Sequence, residues 1–394
     1  MNPEKNYERT KLACYLGFVT QAITANFAPL LYLTFYRTYG INFADLALIS
    51  LVFYVTQLIA DFLCAKFVDR IGYRKSMIIA QIASAGGLAM LGFVPDMCAK
   101  PFAGILICAI IYAIGSGLIE VLCSPIIEDC PIENKESMMS LLHSFYCWGA
   151  VGTIVLSTVF FVTFGMEHWR ILACLWAVLP LFNVFNFAVC PIEPIVEDGE
   201  GMTIAQLLKT RVFWLFIVLM ICAGASEISM AQWVSAFAES ALGITKTTGD
   251  LLGACGFALF MGISRALYGR FGDKVDLSNF MIASGILCLC AYLLAALASM
   301  PLMGLAGCMM CGFSVGIMWP GSISISSSKL PKGGTALFAL LALAGDVGGA
   351  VGPAIVGNVS EMLGENIQAG ILAGTCFPVL LVISVIALKR KTAQ

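Results

Sequence analysis

Four acids stand inside long apolar runs of the sequence: Asp61, Glu120, Glu227 and Asp346. An acid at the centre of a membrane helix costs about 2.5–3.5 kcal/mol on insertion scales, so each one asks for a partner, a wet cavity or a function. Glu120 lies in "IYAIGSGLIEVLCSPIIEDC" and shares a helical face with Tyr112, Ser116 and Ser124 at four-residue spacing. A carboxylate on such a polar stripe, in a partly wet cavity, suits proton uptake and release near neutral pH. The competing account places Glu120 near the inner surface or pairs it with a neighbouring helix. Glu227, in "GASEISMAQWVSAFAE", follows Arg211 by about 24 Å of helix at ~1.5 Å per residue, near mid-membrane. It is either a second proton-coupling acid or half of a structural pair with Arg265. Asp346, in "LLALAGDVGGAVGP", is as deep, and its glycines indicate tight helix packing; it is a third coupling candidate or a buried structural acid.

Around these acids lie residues suited to holding a polar solute. Gln21, Thr24 and Asn26 in "FVTQAITANFAPLLYLTF" hydrogen-bond but do not exchange protons in this pH range. Tyr112, Tyr146, Trp148, Trp233 and Trp319 sit away from the membrane edges where belt aromatics gather. Trp233 follows Gln232, and an indole face beside an amide fits a sugar ring: C–H groups stack while hydroxyls bond to Gln21, Asn26 or Gln232. Plain helix packing is the alternative for each Trp. His143, in "LLHSFYCWG", is a candidate solute contact, whereas His168 in "MEHWR" is read as solvated. Asp61 and Arg265 lie near the ends of their spans. With Asp69, Arg70, Gly72, Arg74 and Arg270 they form a charged and hydrogen-bonding cluster, read as structural and without contact to solute.

The elements that position these residues follow from composition. Of 394 residues, 60% are hydrophobic and 12% charged, with mean hydropathy +0.92, against roughly 25% charged in soluble domains. The chain is therefore read as an all-α integral membrane protein, since the alternation of barrel strands is absent. Twelve apolar runs are long enough to span as helices: 11–36, 44–65, 75–94, 101–125, 139–163, 169–190, 211–239, 249–270, 277–299, 301–327, 333–358 and 366–388. The first run is too long for a signal-peptide core and is read as retained. With both termini on the cytoplasmic side, only Arg37, Lys100, Arg170 and Lys246 of the 22 basic residues fall outside, as the positive-inside rule requires.

The stretch "PIEPIVEDGEGMTIAQLLKT", 191–210, divides the spans six and six, giving halves 1–190 and 211–394 joined by a cytoplasmic linker. Two matches at an offset of 200 point to internal duplication. Arg70-Ile71-Gly72 in "AKFVDRIGYRK" corresponds to Arg270-Phe271-Gly272 in "RALYGRFGDKV", and "GAVG" occurs at 149–152 and again at 349–352. Parallel repeats of this kind put a binding site at mid-membrane and permit alternating access.

Twelve spans in two halves, with "DRIGYRK" between spans two and three, resemble the major facilitator superfamily over nearly the whole chain. Ala65, Tyr73 and Gly269 depart mildly from its signature. "GSGLIEVLCSP", "HSFYCWGAVG", "GFSVGIMWPGSISIS" and "GGAVGPAIVG" are similar to the fucose permease branch of sugar-proton symporters. The superfamily resemblance implies a conformational role for the cluster of Asp61, Asp69, Arg70, Gly72, Arg74, Arg265 and Arg270. The branch resemblance implies a proton-coupling role for Glu120 and a substrate contact at His143. It also implies an acid in the first span, which this chain lacks; Glu120 then works alone or shares its proton with Glu227 or Asp346.

The expectation is a proton-coupled importer of a monosaccharide or similar polyhydroxy solute, in a bacterial-style cytoplasmic membrane, working as a monomer. A proton-coupled exporter of amphipathic compounds and a non-transporting sugar sensor are the rivals. A net charge of −2 with no basic patch argues against nucleic acid. No phosphate-loop signature, nucleophile-base set or metal-ligand set is legible, so no cofactor, metal or enzymatic activity is expected. The sixteen cysteines are read as small apolar residues, including Cys308 and Cys311 despite their C-x-x-C spacing.

Overall fold

Hydrocarbon offers no hydrogen bonds to a backbone, so spanning segments satisfy their own N–H and C=O groups within helices. The computed structural model describes residues 7–41, 43–192, 201–240, 243, 249–298, 300–364 and 366–392, and among these there is helix and no strand. Lys5, Lys246 and the linker acids of 193–200 lie outside the described residues.

In the first half of the chain the helices are α1 (Tyr7–Leu30, continued by Tyr32–Tyr39), α2 (Phe43–Ile71), α3 (Tyr73–Leu91), α4 (Pro101–Asp129), α5 (Lys135–Phe164) and α6 (Trp169–Val189). In the second they are α7 (Arg211–Ser240), α8 (Gly256–Phe271, entered through a π-helical turn at Gly249–Cys255) and α9 (Leu277–Leu297). There follow α10 (Pro301–Val315 and Met318–Lys329), α11 (Gly334–Met362) and α12 (Ile367–Ala373 and Cys376–Thr392). Among the described residues ten are long and apolar enough to cross a membrane; α1 and α3 miss that measure. Their apolar content is diluted by charged first turns and by polar residues that face inward, Gln21 and Thr24 on α1, Gln81 and Ser84 on α3, all buried.

Runs ten and twelve, expected as single spans, are each interrupted. The breaks fall at Gly316 and Gly374, each four residues before a proline, Pro320 and Pro378. Proline has no N–H for the carbonyl four residues back, and its ring crowds that carbonyl. Within the linker, a short helix Ile204–Lys209 is held by a reciprocal capping box of Thr203 and Gln206.

The chain divides into two compact units, one of Met1–Pro131, Phe145–Glu200 and Gly334–Ala339, the other of Ile132–Ser144, Gly201–Gly333 and Leu340–Gln394. Each repeats the packing of the other. In the first unit α3 packs on α4 and α6, α1 on α4 and α6, and α2 on α4. In the second α9 packs on α10 and α12, α7 on α10 and α12, and α8 on α10. The duplication read from two short motifs therefore extends to every one of these helix pairs.

Each "GAVG" motif contains a glycine at a close helix approach. A Cβ on Gly149 of α5 would lie 2.8 Å from Ala22 Cβ of α1, and one on Gly352 of α11 would lie 2.9 Å from Ala225 Cα of α7. Small residues let these backbones approach closely. The α7–α11 approach is the tighter: a Cβ on Gly224 would meet Gly345 O at 2.1 Å, and one on Gly348 would meet Ile221 O at 2.1 Å.

At its ends the first unit is tied by polar bonds. Arg74 donates to the carbonyls of Phe187 (2.8 Å) and Ala188 (2.9 Å), closing the C-terminus of α6, where orphan carbonyls and the helix dipole favour a cation. Gly72, between α2 and α3, has φ +90°, a conformation that only glycine adopts without strain. At the other end Asp96 accepts from Tyr39 (2.6 Å) and from Arg170 (Nε 2.9 Å and Nη2 3.1 Å). These bonds, Tyr39's first, hold the Asp96 carboxyl below the usual carboxylate range.

Two outcomes are expected. Gly224→Val should cost about 1–3 kcal/mol or more by overpacking against backbone, read as loss of monodisperse protein and a lower Tm in detergent. Gly152→Ala, where nothing lies within 4 Å, should leave both unchanged. The Asp96 cluster stabilises the fold above the unfolded carboxyl pKa of about 3.9, and that contribution is lost as pH falls through the lower folded value. Tm should then fall more steeply between pH 5 and pH 3 (about one to two units around that value) in the parent than in Asp96→Asn.

Candidate functional site

In the first unit the polar centre is built by α1, α2 and α4. The Glu120 carboxylate, on α4, accepts through Oε2 from Gln21 Nε2 of α1 at 2.9 Å and from Gln57 Nε2 of α2. Gln57 is held in turn by Ser116, whose hydroxyl donates to Gln57 Oε1 at 3.1 Å. Thus Ser116, one turn before Glu120 on the predicted stripe, orients one of the amides that hold the acid. Tyr112, also on that stripe, is fully buried and packs against Phe53 at 5.8 Å between ring centres. Every member of the network is buried, yet Gln21 Oε1 has no hydrogen-bond partner among the described residues. Asp61, one turn from Gln57 on α2, is fully buried beside Gly117, where an added Cβ would lie 3.2 Å from Asp61 Oδ1.

Gln57 was not among the residues singled out from sequence. Its signal was present in "YVTQLIADF": an amide one turn before a buried acid, on the same face of an apolar helix. The acid is thus met by two amide N–H donors from neighbouring helices, neither of which carries a charge.

The second unit places a different arrangement at its centre. Arg265 of α8 is 3% exposed and donates through Nη2 to Glu227 Oε2 of α7 at 2.9 Å. Its Nε donates to Gly316 O at 2.9 Å, and Nη1 to His143 O at 3.3 Å. The Gly316 bond has a covalent cause. Gly316 O would accept from residue 320 in a continuous helix, but residue 320 is proline, and the guanidinium supplies the missing donor. Ser140 Oγ donates to the Arg265 carbonyl at 2.8 Å, so α5 holds α8 in place.

The remaining expected residues are distributed as follows. Asn26 turns back onto its own helix, donating to Ala22 O at 2.8 Å. Trp233 donates its indole N–H to Pro353 O at 3.0 Å and packs on Gly357. Trp319 lies against Gly345, whose added Cβ would be 2.3 Å from the ring. Gln232 is exposed, Tyr146 and Asp346 are half-buried, and His143 is buried. Of the conformational set, Asp69 accepts from Thr335 Oγ1 at 2.6 Å and from Tyr73 at 3.3 Å. Arg70 is exposed, as is Arg270, whose guanidinium stands 5.8 Å from the Phe271 ring centre. Arg265, expected in that set and also as a partner for Glu227, makes the pair with Glu227.

A family model described as Major Facilitator Superfamily matches residues 13–391. Among solved structures, the E. coli fucose:proton symporter is similar with TM-score 0.80 at 16% identity, over 96% of this chain and 98% of that one. The human organic anion transporter MFSD10 is similar with TM-score 0.75 at 16% identity, over 97% and 100%. A staphyloferrin B transporter of Staphylococcus aureus is 23% identical over 254 residues, 62% of this chain. The match spans 59% of that relative's length. With twelve helices, a duplicated packing scheme and a family match from end to end, the chain belongs to the major facilitator superfamily of membrane transporters.

Proposed function

We propose that this transporter moves a small polyhydroxy solute, such as a monosaccharide, inward with protons by alternating access, across a cytoplasmic membrane that both termini face from inside. The observation that carries the reading is the Glu120 carboxylate buried between the amides of Gln21 and Gln57. The similarity to a fucose:proton symporter supports it.

The geometry around Gln21 supports a link between proton and solute. Gln21 donates to Glu120 through Nε2, while its Oε1 is buried without a partner among the described residues. A buried acceptor left unmade costs about 1–3 kcal/mol, and a solute hydroxyl is the donor that removes the cost. When Glu120 takes up a proton its carboxyl gains an O–H donor, and Gln21 can accept from it only by turning its amide. Turning Gln21 changes what its other end offers the solute. One amide therefore reports the protonation of Glu120 to the binding site, with Glu227 and Asp346 as the acids available to share the proton.

In proteoliposomes screened with monosaccharides, a transported sugar should make the external medium more alkaline as it enters. Acidification on solute addition would instead mark the opposite coupling, that of an exporter; saturable binding without counterflow would mark a sensor. Glu120→Gln should reduce proton-driven accumulation by about tenfold or more while keeping solute exchange, the pattern of a lost coupling group. Gln21→Leu should impair both, raising half-saturation for exchange about tenfold, the value of one hydrogen bond of roughly 1.4 kcal/mol. Full accumulation by Glu120→Gln would remove the coupling role.

A further inference from the structure

We propose that Arg265 receives a carboxylate of the transported solute, and that Glu227 occupies the same edge of the guanidinium in its absence. The inference rests on the reading of the chain as a carrier of polyhydroxy solutes and narrows that class to sugar acids and other hydroxycarboxylates.

The argument starts from what a neutral solute needs. Sugar hydroxyls are served by amides, hydroxyls and aromatic faces, none of which requires a buried cation. A buried arginine is expensive, and pairing it with a single glutamate brings little net stability, since apolar residues of similar volume commonly do as well. A structural role alone therefore gives a weak account of why a guanidinium stands here.

The way Arg265 is held gives a stronger one. Two of its nitrogens are anchored on main-chain carbonyls, Nε on Gly316 of the interrupted α10 and Nη1 on His143 of α5. Main-chain carbonyls cannot rotate away as a side chain can, so they fix the plane of the guanidinium. The bond through Nη2 is of another kind, because it goes to a side-chain carboxylate, Glu227 Oε2, on a third helix. A side chain can rotate away, and the acceptor that best replaces it on a planar guanidinium is another carboxylate. The protein thus carries an oriented anion receptor whose exchangeable contact is satisfied by an internal carboxylate. The same competition gives selectivity: a neutral solute that displaced Glu227 would leave two buried charges apart, whereas an anionic one keeps the cation paired.

The test is counterflow exchange by the full-length protein in proteoliposomes, comparing D-galactose with D-galacturonate and D-glucose with D-gluconate. The acid of at least one pair should show a half-saturation at least about tenfold lower than its neutral partner. Arg265→Gln should abolish that preference, and Arg265→Lys, which keeps the charge without the fork, should restore part of it. Glu227→Gln, scored only on protein that remains monodisperse, should lower half-saturation for the acid, because a neutral amide competes less well for the guanidinium. A purely structural pair predicts the opposite or no change. Exchange of neutral sugars in preference to their acids, or an equal loss for both in Arg265→Gln, would overturn the inference while leaving the carrier reading in place. Exchange of neither class would overturn both.

Discussion

An ionisable group inside hydrocarbon must be given partners by the protein, and the two units of this chain meet that requirement in different ways. In the first, Glu120 is held by neutral amides from two neighbouring helices. In the second, Glu227 is held by the cation of Arg265. The first acid is met by uncharged donors and the second by a full positive charge. Duplication supplied a common frame, and the buried charges mark where the copies diverged.

The correspondence can be followed residue by residue. Gly149 of α5 faces Ala22 of α1, and its counterpart Gly349 of α11 faces Ile228 of α7. The residues just before those contacts, Gln21 and Glu227, therefore hold equivalent places in α1 and α7. One is the amide that touches Glu120; the other is the acid that touches Arg265. The glycines that bring the helices together are thus also what sets both polar centres at one position of the repeat. Close approach and chemistry are coupled, since a helix displaced by one side chain would carry Gln21 or Glu227 out of hydrogen-bonding range.

Much of the fold was legible because its causes are local or periodic. Twelve apolar runs, the polar division near residue 191 and the motifs repeated at an offset of 200 are all visible in one dimension. Less legible were events that depend on a partner distant in sequence. The break at Gly316 needed Pro320, which was visible, but its stabilisation needed a guanidinium 51 residues earlier. Arg265 read both as part of a span-end charge cluster and as a partner for Glu227, and only the reach of its side chain in three dimensions decides between them. Gln57 escaped notice because an amide in an apolar run attracts less attention than an acid, although it shares a face with Asp61. Trp233 and Trp319 looked equally suited to a sugar or to packing, and their neighbours Pro353 and Gly345 on α11 could be identified only in three dimensions.

The central claim is that Glu120 binds and releases the transported proton while held between Gln21 and Gln57. Infrared spectroscopy of the purified, reconstituted protein during a pH titration tests it most directly, because a protonated carboxyl has its own carbonyl band. The account predicts a band that grows as pH is lowered through the range of transport and is missing from Glu120→Gln. An identical titration in the parent and in Glu120→Gln would contradict it.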